Sequence, residues 1–220
     1  FSWMTRTLSS LKKHIIFVAH RDTRKEGDDT VFIPALREKS YNSIVTELDL
    51  LGYLEMKSER GVQRRTITFD PTSRNDGKNT CNLPSVMEVP TILDKNGNPV
   101  PFGAMGLEVL DKITTDNVLP ELKDCTFRIA CDVTNTLCGE QGCSAIFGPQ
   151  KGATPAMILQ MDKWLAYYAT LAREIFPHAN PKAAGSGAAG GLGFAFMTFL
   201  NGTLESGIKI VLEETRLSDY

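Results

Sequence analysis

The feature that most constrains this sequence is a change in its character near residue 90. The residues up to Pro90 include 14 basic and 12 acidic side chains and are rich in arginine, whereas those from Thr91 onward include 10 basic and 14 acidic ones and are rich in glycine and alanine. A chain of 220 residues can form one medium domain or two small ones. We therefore predict two units, 1–90 and 91–220.

The composition excludes several classes of protein. A net charge of −2 and a pI of about 6.0 argue against a strongly basic nucleic-acid-binding protein. No apolar run approaches the roughly 18 residues of a membrane span, so no membrane partner is expected. The apolar run in the first 20 residues is too short and too late for a secretion signal, and the sequence reads as a piece of a longer protein.

The cysteines and histidines indicate neither disulfides nor a metal site. The cysteine count is odd and no pair has the spacing CxxC, which favours reduced thiols and a cytoplasmic location. The three histidines are too scattered to form a zinc cluster with them. These residues are Cys81, Cys125, Cys131, Cys138, Cys143, His14, His20 and His178.

The first part has the pattern of the end of an α/β domain. The apolar run at 14–19 predicts a buried parallel strand, and the polar residues 21–29 after it predict a loop. Apolar residues recur with helical spacing over 41–51. Alternating residues at 52–57 and 65–69 predict a hairpin.

The second part predicts further α/β elements. Asn-Gly and Asn-Pro within 93–103 indicate a tight turn between short strands, and 127–133 reads as a buried strand followed by a long loop, 134–152. Thr154 and Pro155 predict the start of a helix that runs to Phe176, with an apolar face that includes Met157 and Leu165. A second helix is expected at 187–200. The last element, 208–215, fits both a helix and a strand.

A glycine cluster at 185–193 is the first candidate site. It contains GxGxxG, but no strand precedes it, so a dinucleotide-binding fingerprint is excluded. Its backbone N–H groups and the positive end of a helix dipole could bind a phosphate or a carboxylate. Close packing of a helix against a neighbour explains the glycines equally well.

The loop after the predicted strand at 127–133 is the second candidate. Asp132 stands at the carboxyl end of that strand, the edge at which open α/β sheets bind ligands. The loop offers a mixture of side chains suited to a polyhydroxy acid or magnesium phosphate: Asn135, Glu140, Gln141, Gln150 and Lys151. A solvated loop with an Asp turn is the alternative.

His20 is the third candidate because it ends the strand predicted at 14–19. In a nucleotide-binding sheet, a polar residue at that position can sense a γ-phosphate. A strand-end histidine without a function is the interpretation that the sequence favours.

From about residue 91 onward the chain resembles the interior of a bacterial glycerate kinase. The resemblance lies in LDKNGNPVPFG, FRIACDVTNTLCGEQGCSAIFGPQKGATPAM, GSGAAGGLGFAF and LESGIKIVLEE, in the order of that family. It implies ATP-dependent phosphorylation of D-glycerate with Mg²⁺. It also implies a cleft lined by Asp132, Thr134, Asn135, Glu140, Gln141, Gln150, Lys151, Gly187, Gly190, Gly191 and Gly193. Asp132 or Glu140 would hold magnesium or orient a substrate hydroxyl, and Lys151 with backbone amides would offset anionic charge.

Several motifs of that family are absent. The sequence lacks its DSFKG, ADGGEGT, GGSATND and ITGEGRID segments, so the expected phosphotransferase site is incomplete.

The first 84 residues resemble the later portion of a phage-type RecA-like ATP-binding protein. The residues that carry this resemblance are IIFVAH, SYNSIVTELDLLGYLE and RTITFDPTSRNDGKNTCNLP. The phosphate-binding loop GxxxxGK[ST] occurs nowhere in the chain. The alternative functions are therefore a recombination ATPase module with single-stranded DNA as its partner, or a catalytically inert fusion fragment.

Overall fold

The computed structural model describes residues 15–16, 21–26, 28–36, 38–59, 62–89, 93–101, 103–116 and 118–215. The chain divides into two compact units, Ile92–Glu213 and the residues on either side of that segment. Both helices and strands are present, and the strands form several small sheets. This mixture confirms the predicted α/β class.

The described residues of the first unit form one helix and three small sheets. Its elements are β1 (Arg21–Glu26), β2 (Asp29–Pro34), α1 (Glu38–Glu47), β3 (Leu50–Leu51), β4 (Tyr53–Glu59), β5 (Val62–Thr68), β6 (Lys78–Asn79) and β7 (Val86–Val89). The sheets are β1–β2, β3–β6 and β4–β5–β7, and all their pairs are antiparallel.

The hairpin of the first unit has the predicted partners. Strands β4 and β5 pair from Tyr53 opposite Thr68 to Glu59 opposite Val62. The loop predicted at 21–29 is wrong, because strand β1 occupies most of it and pairs with β2. Polar residues such as Arg24 form this strand because they pair with apolar residues of β2. The residues of β1 themselves do not alternate between apolar and polar, so their sequence does not predict a strand.

The helix predicted at 41–51 is present but ends earlier. Helix α1 ends at Glu47, and Leu51 instead lies in β3, where it pairs with Lys78. The side chains of Tyr41 and Ile44 are buried, as the helical spacing predicts. Of the strand predicted at 14–19, only residues 15–16 are described; neither is in a strand, and Ile16 is 85% exposed. His20 lies outside the described residues.

The second unit is built around one long helix. Its regular elements are β8 (Arg128–Ala130), α2 (Cys143–Phe147), α3 (Pro155–Ile175), α4 (Leu192–Phe199), β9 (Thr203–Glu205) and α5 (Gly207–Thr215), of which α5 extends past Glu213. Short 3-10 turns lie at Ala104–Val109, Pro120–Asp124, Pro149–Lys151 and Ala188–Gly190. Strands β8 and β9 are parallel, with Arg128 opposite Thr203.

The strand predicted at 127–133 is shorter than expected and is not buried. Strand β8 has three residues, and its two ends, Arg128 and Ala130, are exposed. In the described part of the chain, β9 is its one hydrogen-bonded neighbour. A strand at the centre of a wide parallel sheet would be covered on both edges, whereas β8 keeps one edge open.

The turn predicted at 93–103 is present in reduced form. Leu93 and Pro99 form a single antiparallel bridge and not a pair of strands. The carboxylate of Asp94 closes the turn by accepting the N–H groups of Asn96 and Asn98 at 2.8 and 2.9 Å.

Helix α3 begins as the sequence predicts and supplies the core. The hydroxyl oxygen of Thr154 accepts the N–H of Met157 at 3.3 Å, and Pro155 is the first helical residue. The core consists of Leu137, Cys143, Leu165, Ala169, Ala172, Ala179 and Phe194. Met157, expected on the apolar face, is 52% exposed because it lies in the first turn, beyond the packed part of the helix.

Two expectations for the second unit need correction. The loop predicted at 134–152 contains helix α2 and a 3-10 turn. The helix predicted at 187–200 is divided, because Gly191 has a left-handed backbone (φ +105°) between the turn Ala188–Gly190 and helix α4. The ambiguous last element is the helix α5.

Among the described residues, no helix combines the length and the apolar character needed to cross a bilayer.

Candidate functional site

Asp132 lies where the two parallel strands end. It follows β8, and its Oδ1 accepts the N–H of Gly207, the first residue of α5, at 3.0 Å. Because β8 and β9 are parallel, the chain after both strands emerges at the same edge of the sheet. Asp132 is exposed at this edge. Its carboxylate therefore combines a fixed position with access to solvent.

The segment after Asp132 contacts the glycine cluster directly. The N–H of Gly187 donates to the carbonyl oxygen of Asn135 at 2.9 Å. A Cβ atom at Gly187 would overlap the carbonyl oxygen of Thr136, so only glycine permits this approach. The structure thus brings together two motifs that lie about 50 residues apart in the sequence.

Close packing also explains other glycines of the cluster. A Cβ at Gly191 would lie 2.8 Å from Leu137 Cδ1, and one at Gly193 would overlap the carbonyl oxygen of Gly185. Gly190 differs: a Cβ there would meet open space, but its φ of +74° is rarely adopted by other residues. An anion-binding role for the cluster stays a prediction.

Several N–H groups of the cluster already have acceptors. Besides the Gly187 bond, the N–H of Gly190 donates to the Gly187 carbonyl and that of Gly191 to the Ala188 carbonyl, at 3.1 and 3.2 Å. The hydroxyl of Ser186, which is fully buried, donates to the carbonyl of Pro181 at 2.9 Å. In this conformation these donors are occupied by bonds within the cluster and by bonds to Asn135 and Pro181.

The segment 139–142 is anchored to helix α3. The N–H of Gly139 donates to Oδ1 of Asp162 at 2.8 Å. The carbonyl oxygen of Gln141 accepts the N–H of Thr136 at 3.2 Å and lies 3.4 Å from the side-chain nitrogen of Asn135. These bonds hold the segment beside the residues that follow Asp132. The side chains of Glu140 and Gln141 are exposed.

Three predicted site residues are not brought into contact with Asp132. Thr134 is exposed, as are Gln150 and Lys151 in the 3-10 turn Pro149–Lys151. Within the described residues, no hydrogen bond or ion pair joins the side chains of these three to Asp132 or Asn135.

Sequence reasoning missed Asp162. This acidic residue lies on the same face of α3 as the half-buried Ile158 and the buried Leu165, four residues before it and three after it. The sequence did offer a signal for it, an acidic residue on the apolar face of a helix. A carboxylate in that position needs a hydrogen-bond donor from elsewhere in the protein. Asp162 finds that donor in Gly139.

A charged network lies on the other side of the strand pair from the core. Arg128 contacts Glu205 through Nε at 2.7 Å and Glu213 through an Nη at 2.6 Å. The hydrogen bonds to Arg128 lower the pKa of Glu205 from 4.5 to about 2. The same bonds raise the pKa of Arg128. This network joins β8, β9 and α5.

Two thiols near the site lie partly or fully inside the fold, because Cys138 is half-buried and Cys143 is buried. Burial raises the pKa of Cys138 and of Cys143, and the thiol of Cys143 donates to the Leu137 carbonyl at 3.2 Å. All five cysteines are free. A thiol with a raised pKa is a poor nucleophile, so Cys138 and Cys143 have a structural role.

The described residues include no group of three or more His, Cys, Asp or Glu side chains able to hold a metal ion. Mg²⁺ in phosphoryl-transfer sites is commonly held by one or two carboxylates together with phosphate oxygens. The exposed Asp132 carboxylate, with one oxygen held by Gly207, fits the part of a single protein ligand.

Comparisons with known proteins identify a relative for each part of the chain. Residues 89–220 match a family described as the glycerate kinase family, and residues 1–81 match a family described as an AAA domain. Both matches agree with the resemblances drawn from the sequence, although the second does not specify a RecA-like protein.

Two of the individual relatives are named as glycerate kinases. Glycerate 2-kinase of Escherichia coli K12 is 46% identical over 130 residues, which are 59% of this chain and 34% of that protein. Glycerate kinase of Halalkalibacterium halodurans is 33% identical over 161 residues, 73% of this chain and 42% of that protein. The chain thus spans between a third and a half of the length of these relatives.

One solved structure is also similar. A crystal structure from Salmonella typhimurium LT2, named for glycerate kinase 2, has a TM-score of 0.54 and 43% sequence identity. The match covers 57% of this chain and 34% of that one.

Proposed function

This chain belongs to the glycerate kinase family, and from that premise we propose that its second unit supplies one wall of a site for the ATP-dependent phosphorylation of D-glycerate. The observation that carries the proposal is the meeting of three motif segments, 132–137, 139–142 and 185–193, at the carboxyl end of β8. Ligands of open α/β sheets bind at that edge.

The residues of this wall have different parts in the proposal. Asp132 orients a hydroxyl of glycerate or serves as a ligand of Mg²⁺, and Asn135 and Glu140 offer further polar groups. Thr134 and Gln141 line the cleft within these segments. Gln150 and Lys151 lie outside them, in the turn Pro149–Lys151; in the proposal Gln150 extends the lining and Lys151 offsets anionic charge. In the glycine segment, the buried Gly187, Gly191 and Gly193 hold the backbone against its neighbours, and the exposed Gly190 leaves open space in which a carboxylate or phosphate fits.

ATP would supply the transferred phosphoryl group, and Mg²⁺ would neutralise charge on its oxygens. Catalysis of this type depends on positioning and electrostatics. Because the chain spans about a third of the Escherichia coli relative, the groups that close the site from the other side are expected outside this chain. We expect no measurable glycerate kinase turnover from the chain alone in a coupled assay. Turnover within about tenfold of an intact family member, a difference of about 1.4 kcal/mol in the barrier, would contradict this.

Isothermal titration with D-glycerate and with inorganic phosphate tests the binding role. If Asp132 orients a hydroxyl, Asp132→Asn should weaken D-glycerate binding by roughly twofold to tenfold, the worth of one hydrogen bond, and should leave phosphate binding unchanged or stronger. Lys151→Ala should weaken both. The matched control is Asp116→Asn, an exposed carboxylate in the same unit but in none of the three motif segments. Absence of any binding by the parent chain would count against the proposal.

A second candidate function follows from the match of residues 1–81 to an AAA domain. A RecA-like module would bind single-stranded DNA with an affinity that falls as salt rises. Fluorescence anisotropy with a labelled oligonucleotide at two salt concentrations separates this function from glycerate binding. A chain that binds neither ligand would be the inert fragment. The cytoplasmic location expected from the cysteines stays a prediction.

A further inference from the structure

A cavity of about 240 Å³ lies on one face of the sheet β4–β5–β7 in the first unit. Tyr53, Thr68 and Val86 stand side by side on this face, because Thr68 pairs with each of the other two across the sheet. All three residues line the cavity. The central strand β5 therefore forms its floor, with one residue of each outer strand beside it.

Contacts from outside the sheet fix another wall of the cavity. The ring of Phe32, in β2, stacks on the ring of Tyr53 with centroids 5.3 Å apart and planes 7° from parallel. The N–H of Phe32 donates to the carbonyl of Arg74 at 2.7 Å, and the Arg74 guanidinium lies 5.5 Å from the centroid of the Phe32 ring. These contacts hold the segment 72–75 beside the sheet.

Two buried polar side chains line the cavity without using all of their hydrogen-bonding groups. Thr68 is 7% exposed and Asn75 is 4% exposed. The Oδ1 atom of Asn75 accepts the hydroxyl of Thr72 at 2.8 Å. Within the described residues, neither the Thr68 hydroxyl nor the Asn75 Nδ2 group has a hydrogen-bond partner. Buried polar groups are normally bonded, so these two groups indicate a ligand.

The residues around the cavity limit the chemistry of that ligand. The stacked aromatic rings favour a flat molecule with apolar faces. The Asn75 Nδ2 group only donates hydrogen bonds, so the edge of the ligand that meets it carries an acceptor. Pockets for drug-sized ligands begin at roughly 300 Å³, so this cavity suits a single small ring system with its immediate substituent.

The charge at the rim favours an anion next to that ring. The exposed side chain of Arg74 carries a positive charge at the cavity. The other cation in the lining, Lys57, is neutralised by Glu55, whose Oε1 lies 2.8 Å from its Nζ. A phosphate attached to the ligand would therefore meet Arg74.

We propose that this cavity binds a keto pyrimidine base, thymine or uracil, of a nucleotide whose phosphate contacts Arg74. Thymine has a carbonyl oxygen at the position where cytosine has an amino group, and this oxygen can accept the bond from Asn75 Nδ2. Cytosine would set its own donors against that group and leave both unpaired. The base is recognised in the same way in a free nucleotide and in a single strand, so the proposal rests on neither of the functions proposed above.

Isothermal titration of the full chain with two neutral nucleosides tests the base preference. We expect the parent to bind thymidine at least about tenfold more tightly than 2′-deoxycytidine, because a buried donor discriminates strongly against a second donor. Asn75→Asp keeps an oxygen for the Thr72 hydroxyl but replaces the donor by an acceptor. It should reverse the preference, since a carboxylate accepts the amino group of cytosine.

A pair of threonines on one strand supplies the matched control. Thr68→Val keeps the shape of the side chain and should weaken thymidine binding by roughly threefold to tenfold. Thr66 lies two residues earlier on the same face, and its Oγ1 is buried without a partner, but it does not line the cavity. Thr66→Val should leave thymidine binding unchanged. Neither substitution should lower the melting temperature, because each removes a hydroxyl that has no partner within the described residues.

Thymidine 5′-monophosphate and a labelled oligothymidylate distinguish the two sources of the base. The monophosphate should bind more tightly than thymidine to the parent but not to Arg74→Ala. Oligothymidylate binding that Thr68→Val weakens would identify a single strand as the source, and binding of the mononucleotide alone would identify a free nucleotide.

Three results would overturn the proposal. They are no binding of thymidine or its monophosphate by the parent, equal weakening by Thr66→Val and Thr68→Val, and an unchanged preference in Asn75→Asp. Titration with D-glycerate should give the same result for the parent and Thr68→Val, so the glycerate site of the second unit can fail independently.

Discussion

The carboxylate of Asp132 accepts the N–H of Gly207 at 3.0 Å, and so joins the end of β8 to the beginning of α5. The positive end of a helix favours a negative charge, and its first N–H groups lack partners within the helix. Asp132 thus has a structural role that is present without any ligand.

This contact predicts a loss of stability when Asp132 is changed. Asp132→Ala should lower the free energy of unfolding of the second unit by about 0.5–2 kcal/mol, as at other helix N-termini. Asp132→Asn should cost less, because the amide oxygen can still accept the Gly207 N–H. Chemical denaturation of ligand-free protein measures both, with Asp116→Asn as the control. An alanine variant as stable as the parent would show that the contact contributes nothing.

The glycine cluster offers a pair of substitutions that separates steric overlap from backbone strain. Gly187→Ala places a methyl group on the carbonyl oxygen of Thr136 and should destabilise by about 2 kcal/mol or more, since overpacking of this kind costs roughly 1–3 kcal/mol. Gly190→Ala meets open space but keeps a φ of +74°, and should cost about 1–2 kcal/mol. Melting curves of the two variants test whether Gly187→Ala is the less stable one. Equal stability of the two variants would contradict the packing seen at Gly187.

Glu205 predicts a loss of stability in acid. Its pKa is about 2 in the folded protein, below the ordinary 4.5, so its contribution is fully present above pH 4.5 and is lost as the pH falls toward 2. Melting temperatures between pH 6 and pH 2.5 should fall less steeply for Glu205→Gln than for the parent. The control Glu174→Gln, an exposed residue of α3, should follow the parent curve.

Limited proteolysis tests the boundary between the two units. The charge and composition of the sequence change near residue 90. The contacts within each unit also place a boundary between Thr91 and Ile92. We therefore expect the first cuts between residues 82 and 97, and two unfolding transitions that persist after cleavage. The boundary would be wrong if the first proteolytic cuts fell within α3. It would also be wrong if the chain unfolded in one cooperative transition that cleavage abolished.

The elements that the sequence predicted correctly depend on neighbouring residues. Thr154 and Pro155 mark the start of α3 because the capping bond joins residues three apart. The alternation in β4 and β5 predicts their hairpin for the same reason. Asp132 could be placed beyond the carboxyl end of a strand because it closes an apolar run, and its role in binding a ligand stays a prediction.

The remaining features depend on residues far apart in the chain. Asp162 and Gly139 are 23 residues apart, and Asp132 and Gly207 are 75 apart, so no local pattern predicts these bonds. Strand β1 forms because β2 pairs with it, and β8 stays exposed because β9 is its one neighbour among the described strands. The sequence by itself therefore determined the local elements and the family. Only the tertiary structure decided which loops meet and which strand edges stay open, because both depend on long-range hydrogen bonds and packing.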